Sequence, residues 1–248
     1  MTGDLLAAAP LLLAAAFLAG AMNAVAGGGS FLTLPALVWA GVPPVMANAT
    51  GTVSLLPGYA SGAYGYREDL GALSGVGRLC LVSMAGGLLG AALLLLTPDA
   101  LFRAIVPWLL LLATGLFALG PRLSRGMAKA QGRGVLYGGL FVVSAYGGYF
   151  NGGLGILLLA LLSVAGSGGL NQAQALKNLL SAVLTSIAVL AYAAGGAVRW
   201  PEALLMALAA TAGGYAGARV GRRLPAKLVR GFVILVGLGM AAAFFRAG

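Results

Sequence analysis

Long apolar stretches, separated by short segments of glycine, proline and charged residues, follow one another along almost the whole chain. They lie at residues 5–26, 30–40, 45–64, 72–96 and 101–119, and then at 135–150, 154–165, 173–194, 201–220 and 226–245. Most are close to the roughly 20 residues that an α-helix needs to cross about 30 Å of hydrocarbon. The pattern therefore predicts an all-α membrane protein with about 8 to 10 membrane segments.

Two of the stretches, 30–40 and 154–165, would be helices only about 17 Å long, which is too short to span comfortably. Glycines precede both of them, Gly27-Gly28-Gly29 in the first case and Gly152-Gly153 in the second. We predict two half-helices, each following a glycine break inside the membrane. The sequence leaves open whether these segments re-enter or span.

The second half of the chain repeats features of the first half. Residues 85–91, AGGLLGA, recur as residues 212–218, AGGYAGA, while Gly27-Gly28 aligns with Gly152-Gly153 and Ala47 with Ala173. A duplication explains this order and divides the chain into a membrane repeat at 1–120, a basic linker at 121–133 and a second membrane repeat at 134–248. The Gly-xxx-Gly spacing inside the repeated segment predicts a face for close helix packing.

Composition and charge define the solvent and the orientation of these segments. Of the 248 residues, 60% are hydrophobic and 8% are charged, so the solvent is lipid. Lys and Arg residues concentrate in the linker and in residues 219–230, which the positive-inside rule places in the cytoplasm. The loop around Asp99 aligns with that second basic segment but lacks excess positive charge. The two repeats are therefore predicted to be inverted, each with a glycine-broken hairpin plus three transmembrane helices, and both termini outside.

Few residues could support catalysis, hold a metal or bind nucleic acid. The chain has one cysteine, Cys80, and no histidine, and its acidic residues all lie near predicted membrane surfaces. A buried acid–base pair or a metal-ligand cluster is therefore not expected. The net charge of +10 lies in short loops rather than on one basic face, which argues against nucleic-acid binding. We expect no enzyme, no cofactor and no metal.

The glycine breaks are the first candidates for a binding site. A helix that restarts after a break presents free N–H groups and the positive end of its dipole, which suits an anion. The candidate residues are Asn23, Gly27, Gly28, Gly29 and Ser30 at the first break, and Asn151, Gly152 and Gly153 at the second. The alternative is that these glycines serve close helix packing only.

A polar stripe within an otherwise apolar helix supplies the other candidates. Gln174 shares one face with Lys177 or Asn178 and with Ser181 and Thr185, and Asn48 and Thr52 occupy the corresponding helix of the first half. A cation here would attract an anionic solute, although Lys177 could instead extend its side chain to the membrane interface. Four tyrosines in the membrane segments are interpreted as interfacial or packing aromatics: Tyr59, Tyr64, Tyr146 and Tyr149.

Five segments in both halves share a pattern with one known family. They are residues 27–35 (GGGSFLTLP), 41–44 (GVPP), 47–52 (ANATGT), 173–178 (AQALKN) and 212–219 (AGGYAGAR). Their order and duplication resemble the TauE/SafE family of bacterial permeases over essentially the whole chain. The resemblance implies export or exchange of sulfur-containing anions such as sulfite, sulfoacetate or related organosulfonates, in the cytoplasmic (inner) membrane.

These observations together predict a secondary transporter, in the exporting direction, that works by alternating access around paired half-helix termini. The alternatives are a passive anion channel and a transporter of a different small organic anion. The expected partners are a small anionic substrate and the lipid bilayer. The sequence leaves a homodimer open and does not identify a coupling ion.

Overall fold

The computed structural model describes residues 2–25, 28–71, 75–127, 133–164, 170–221 and 226–247, which form α-helices and no strand. The predicted all-α class is confirmed. In chain order the helices are α1 (Thr2–Val25), α2 (Ser30–Trp39), α3 (Pro44–Gly65), α4 (Arg67–Gly71), α5 (Val76–Leu96), α6 (Asp99–Met127), α7 (Arg133–Tyr149), α8 (Leu154–Val164), α9 (Leu170–Ala194), α10 (Trp200–Gly221) and α11 (Ala226–Ala247).

The helix bounds agree with the apolar stretches except at two places. Helix α6 continues to Met127, so most of the predicted linker at 121–133 is helical rather than a loop. The apolar pattern ends at Leu119, but Arg122, Leu123, Arg125 and Met127 favour a helix, which continues despite the glycines and proline of this segment. Helix α4 was not predicted because its five residues are too few to show a hydrophobic period. Lys129 of the linker and the basic pair Arg222-Arg223 lie outside the described residues.

The two predicted half-helices are confirmed as short elements. Helix α2 has 10 residues and α8 has 11, which corresponds to about 15–17 Å of helix. Gly27, one of the predicted site residues, lies outside the described part of the chain. At the second break Asn151 and Gly153 both adopt positive φ angles, of 61° and 74°.

Four helices in the described part are long and apolar enough to cross a membrane by themselves. These segments are Leu5–Ala24, Val76–Leu96, Asp99–Leu116 and Gln172–Ala194. Large apolar side chains such as Leu81, Leu93 and Leu190 remain exposed on the outside of these helices. Such a surface is expected where lipid tails rather than water cover it.

Glycines hold two helix pairs at very short distances. Between α1 and α10, a Cβ added to Gly213 would collide with the carbonyl oxygen of Phe17. Between α5 and α7, a Cβ on Gly90 would collide with the carbonyl oxygen of Ala145. Only glycine allows this approach, so the predicted packing role of the repeated Gly-xxx-Gly segments is confirmed.

The same contacts relate the two halves of the chain. Helix α1 packs on α10 and α7 packs on α5, while α3 packs on α9 and α6 packs on α11. Since Gly213 and Gly86 occupy the same place in the repeated segment, Phe17, whose carbonyl oxygen meets Gly213, corresponds to Phe141, whose carbonyl oxygen meets Gly86. The correspondence within α1 and α7 is therefore shifted by one residue from the alignment of Gly27-Gly28 with Gly152-Gly153. The boundaries at 120 and 133 stay a sequence-based prediction.

The glycine packing leads to a first prediction. We expect Gly90→Ala to destabilise the protein by about 1–3 kcal/mol, because overpacking forces α5 and α7 apart. Gly239→Ala is the matched control, since a Cβ at Gly239 on α11 meets no atom within 4 Å. The apparent Tm in detergent should fall by about 2–4 °C per kcal/mol for Gly90→Ala and stay unchanged or rise for the control. Equal Tm values would contradict the close approach.

Candidate functional site

A cavity of about 390 Å³ lies between α1, α3, α9 and α10. Its lining combines small residues with hydroxyls, amides and one basic side chain, and no acidic residue belongs to the described lining. The lining residues are Gly20, Asn23, Ala24, Leu55, Gly58, Tyr59, Ser61, Gly62, Tyr66, Gln174, Lys177, Asn178, Ala210, Thr211, Gly214 and Tyr215. The glycines leave the space open, and the polar groups face into it.

Lys177 is the only basic residue of this lining within the described part of the chain. Its residue surface is 6% exposed, and no hydrogen bond or ion pair joins its side chain to another described residue. A side chain that reached the membrane interface would be exposed at its tip, so this placement favours a site over interfacial extension. A buried cation without a carboxylate partner requires water or an anion for compensation.

Three further predicted site residues line the same cavity, and all carry amide side chains. Gln174 and Asn178 lie one turn apart on α9, on either side of Lys177 in sequence, and Asn23 faces them from α1. Asn178 also packs against α3, since a Cβ on Gly62 would lie 2.9 Å from its Cγ atom. The structure thus brings together Lys177, the two amides of the predicted polar stripe, and Asn23, which the sequence assigned to the first break.

A chain of buried hydrogen bonds runs from the cavity to the second break. The Tyr59 hydroxyl donates to Oδ1 of Asn151 at 3.4 Å, and Nδ2 of Asn151 donates to Oγ1 of Thr52 at 3.4 Å. The Thr52 hydroxyl donates to the Asn48 carbonyl at 2.8 Å, and Nδ2 of Asn48 donates to the Tyr149 carbonyl at 2.9 Å. Asn48, Thr52 and Asn151 therefore do not line the cavity and connect to it through Tyr59.

At the first glycine break, some of the backbone N–H groups donate to carbonyls of the break itself. The N–H groups of Phe31 and Leu32 donate to the carbonyls of Gly28 and Gly29, at 3.1 and 3.0 Å. Ser30 is buried, and its Oγ atom has no partner in the part of the chain that is described. Gly28, Gly29 and Ser30 lie outside the cavity lining, so their role as anion donors stays a prediction.

The two breaks lie on opposite sides of one aromatic ring. A Cβ on Gly28 would lie 3.4 Å from Cδ2 of Phe31, and one on Gly153 would lie 3.8 Å from Cζ of the same ring. The Gly152 carbonyl accepts a hydrogen bond from the Tyr146 hydroxyl at 2.7 Å. The breaks therefore approach each other, as predicted, but Phe31 fills the space between them, and Gly152 and Gly153 do not reach the cavity.

Tyr59 is the functional candidate that sequence reasoning missed. It was interpreted as an interfacial or packing aromatic, whereas it is 4% exposed and joins the cavity to Asn151. The available signal was its position on α3, about two turns beyond Thr52 and three turns beyond Asn48, on the same face. Asn48, Thr52 and Tyr59 follow at helical spacings that keep them together. Tyr64, by contrast, is exposed and stacks against the Arg67 guanidinium at 4.6 Å, as an interfacial aromatic would.

A buried carboxylate at the start of α10 also departs from the sequence expectation. Glu202 is 5% exposed and forms an ion pair with Arg199 at 2.9 Å. The Arg199 backbone N–H in turn donates to Oγ1 of Thr50 at 3.0 Å, which joins α10 to α3. This group lies about eight residues before the nearest cavity residue of α10, Ala210, so it is structural support rather than cavity lining. Among the described residues no cluster of His, Cys, Asp or Glu could hold a metal ion.

Asn151 leads to a second prediction, because it combines a positive φ angle with two side-chain hydrogen bonds. Asn151→Gly removes both bonds but accepts the backbone conformation, and we expect a loss of about 1–2 kcal/mol. Asn151→Ala also places a Cβ in the left-handed region, which adds about 1 kcal/mol. The apparent Tm should therefore decrease in the order wild type, Asn151→Gly, Asn151→Ala. An alanine variant as stable as the glycine variant would show that the backbone conformation carries no cost.

Comparison with known proteins assigns the chain to a family. The profile described as Sulfite exporter TauE/SafE matches residues 12–244. A probable membrane transporter protein of Sinorhizobium is 30% identical, covering 93% of this chain and 89% of the relative. A probable membrane transporter protein of Escherichia coli K12 is 32% identical, covering 94% of this chain and 89% of the relative. One of Haemophilus influenzae is 28% identical, covering 96% of this chain and 94% of the relative. No solved structure matches. The chain is a multi-pass membrane transporter rather than an enzyme, and it belongs to the TauE/SafE family.

Proposed function

We propose that the protein is a secondary transporter that exports a small sulfur-containing anion, such as sulfite, sulfoacetate or a related organosulfonate, by alternating access. The observation that carries this proposal is the buried Lys177 in a cavity whose described lining contains no acidic residue. The family match, whose description names sulfite export, supports the sulfur chemistry of the substrate.

The electrostatics of the cavity favour a negative charge on the solute. An ammonium group removed from water loses much of its solvation, and a bound anion restores it at close range. A cation would meet the same charge without any carboxylate to offset it. Asn23, Gln174 and Asn178 add neutral N–H donors, which can orient the oxygen atoms of a sulfite or sulfonate group.

The size of the cavity is compatible with an organic anion as well as with sulfite. A volume of about 390 Å³ lies at the lower end of the usual range for small-molecule sites. The tyrosines Tyr59, Tyr66 and Tyr215 offer apolar ring surface next to the polar groups. A sulfonate with a short carbon chain would use both kinds of surface, with the charged end at Lys177.

The position of the cavity supports export from the cytoplasm. Its α10 residues, from Ala210 to Tyr215, lie in the half of the helix that leads to Gly221 and the following basic residues. The positive-inside rule assigns that end to the cytoplasm and both termini to the outside, so the cavity would lie in the cytoplasmic half of the membrane. With the cytoplasmic (inner) membrane that the family resemblance implies, the solute would enter the cavity from the cytoplasm.

Lys177 gives the first test of this function. We expect Lys177→Gln to raise the KM for sulfoacetate uptake into proteoliposomes about 10- to 100-fold, because a charge-assisted contact contributes about 1.5–3 kcal/mol. Lys177→Arg should retain part of the activity, since it keeps the charge in a different shape. The matched control is Arg103→Gln, which removes an exposed positive charge on α6 away from the cavity.

The same assay separates a carrier from a channel. A carrier shows counterflow, in which unlabelled solute on one side drives labelled solute against its gradient, and a channel does not. An unchanged KM in Lys177→Gln with normal protein levels would reject the charge assignment. The expected result is saturable counterflow that Arg103→Gln leaves intact and that Lys177→Gln shifts to higher solute concentrations.

The chemical class of the solute can be tested by ligand-induced stabilisation. A ligand that binds the folded protein raises its apparent Tm with concentration. We expect sulfite and sulfoacetate to raise the Tm of the wild type more than malonate, which has a carboxylate in place of the sulfonate, and to lose this effect in Lys177→Gln. Stabilisation by carboxylates alone would indicate a different small organic anion, and stabilisation by a cation or a sugar would reject the proposal.

A further inference from the structure

The internal repeat relates the cavity to a second region on the other side of the molecule. This second region is closed. Ala47 aligns with Ala173, and counting from that pair Tyr66 of α3 corresponds to Tyr192 of α9, and Gly58 to Leu184. The glycine contacts of α1 with α10 and of α7 with α5 likewise relate each position of α1 to a position of α7. The two regions can therefore be compared position by position.

Tyr192 closes the counterpart with a hydrogen bond to a broken helix. Its hydroxyl donates to the carbonyl oxygen of Gly148 on α7, and the tyrosine is fully buried. Gly148 lies in the last turn of α7, where the break at Asn151 leaves the carbonyl without a helical partner. Within a membrane such a carbonyl must find a donor, and Tyr192 supplies it.

Leu184 fills the groove next to this bond. A Cβ on Gly87 of α5 would lie 3.0 Å from the Leu184 Cβ, and one on Gly147 of α7 would lie 3.2 Å from its Cδ1. Leu184 has no exposed surface. Helices α5, α7 and α9 therefore leave no space for a solute at this place.

The positions that correspond to these closing groups all line the open cavity. Tyr66 corresponds to Tyr192, Ala24 to Gly148, Gly58 to Leu184 and Gly214 to Gly87. Each first-named residue faces the cavity. The Tyr66 hydroxyl forms no hydrogen bond within the described part of the chain, and a Cβ on Gly58 meets no atom within 4 Å.

The first break thus has the same unsatisfied group that Tyr192 satisfies at the second break. Helix α1 ends at Val25, so the carbonyl of Ala24 has lost its helical partner. Ala24 is exposed to the cavity, where water can solvate that carbonyl while the cavity is open. Removal of the water would require another donor, and Tyr66 holds the corresponding position.

We propose that the closed region around Tyr192 and Leu184 is the second entrance for the solute, and that Tyr66 closes the first by donating to the Ala24 carbonyl when the second opens. The proposal rests on the alternating access of the proposed function. Gly58 in place of a leucine lets α3 approach Gly214 of α10 directly, so closure needs no side chain in that groove. Tyr66 and Tyr192 then act as paired gates. In each conformation only one of them donates a hydrogen bond to the carbonyl that its break releases.

A cysteine reporter in the closed entrance can test this without any solute. Ala188 of α9 is fully buried and corresponds to the cavity residue Gly62, so Ala188→Cys in a Cys80→Ala background reports opening of the second entrance. Labelling by a water-soluble maleimide is measured on purified protein in detergent. Tyr192→Phe removes the bond of the closed state and should raise the labelling rate about fivefold.

The decisive variant is Tyr66→Phe, which changes the opposite entrance. It removes the bond that forms only when the second entrance is open, so it should lower the labelling rate of Ala188→Cys about fivefold. Simple loosening of the packing cannot produce a decrease. Tyr64→Phe is the matched control, because Tyr64 is exposed and lies outside the cavity, and it should leave the rate unchanged.

An unchanged labelling rate in Tyr66→Phe would overturn the paired gates, even if Tyr192→Phe increased labelling through local packing. If Tyr192→Phe fails to fold, the Tyr66→Phe and Tyr64→Phe pair still decides the question. Because no solute is present, this failure is separate from that of the substrate assignment. Opposite effects of the two phenylalanine variants, with sulfoacetate not transported, would support the gates and reject the substrate.

Discussion

A helix that breaks inside a membrane must find hydrogen-bond partners for the backbone groups that the break releases. The described part of this structure meets that requirement at the second break with side chains from three helices. Tyr192, Asn48 and Tyr146 donate to the carbonyls of residues 148, 149 and 152, respectively. Asn151 adopts the left-handed conformation that the turn needs. The positions of α3, α7 and α9 relative to one another follow from these bonds.

The same requirement gives the first break a different environment. There the end of α1 borders a polar cavity, where water or a solute can reach the released carbonyls. The glycine contacts of α1 with α10 and of α5 with α7 place the two breaks in similar frameworks, so the difference comes from α3 and α9. A bulky leucine and a bonded tyrosine close one side, and a glycine and an unbonded tyrosine leave the other side open.

The binding role of Lys177 depends on its position at the open side of the molecule. In the sequence it is one lysine near the start of an apolar helix, and a surface position would explain it equally well. In the structure it is buried at the edge of the open side, between amides and without an acidic partner in the described lining. A solute that enters this side would lose its water next to the buried ammonium group. The attraction between a cation and an anion is strongest where water is excluded.

The sequence by itself determined the all-α class, most of the helix bounds to within a few residues, the two short helices and the packing role of the glycines. These depend on local properties, namely apolar length, helix breaking and residue size, which can be read along the chain. It also identified Lys177, Gln174 and Asn178 as one polar stripe, because helical periodicity alone groups them. Only the tertiary structure decided that Asn48, Thr52 and Asn151 form a buried chain behind Tyr59, that Phe31 separates the breaks, and that one of two related sides is open. These features depend on which helices meet and at what distance, so the difference between Gly58 and Leu184 gains a meaning only when the neighbours of each position are known.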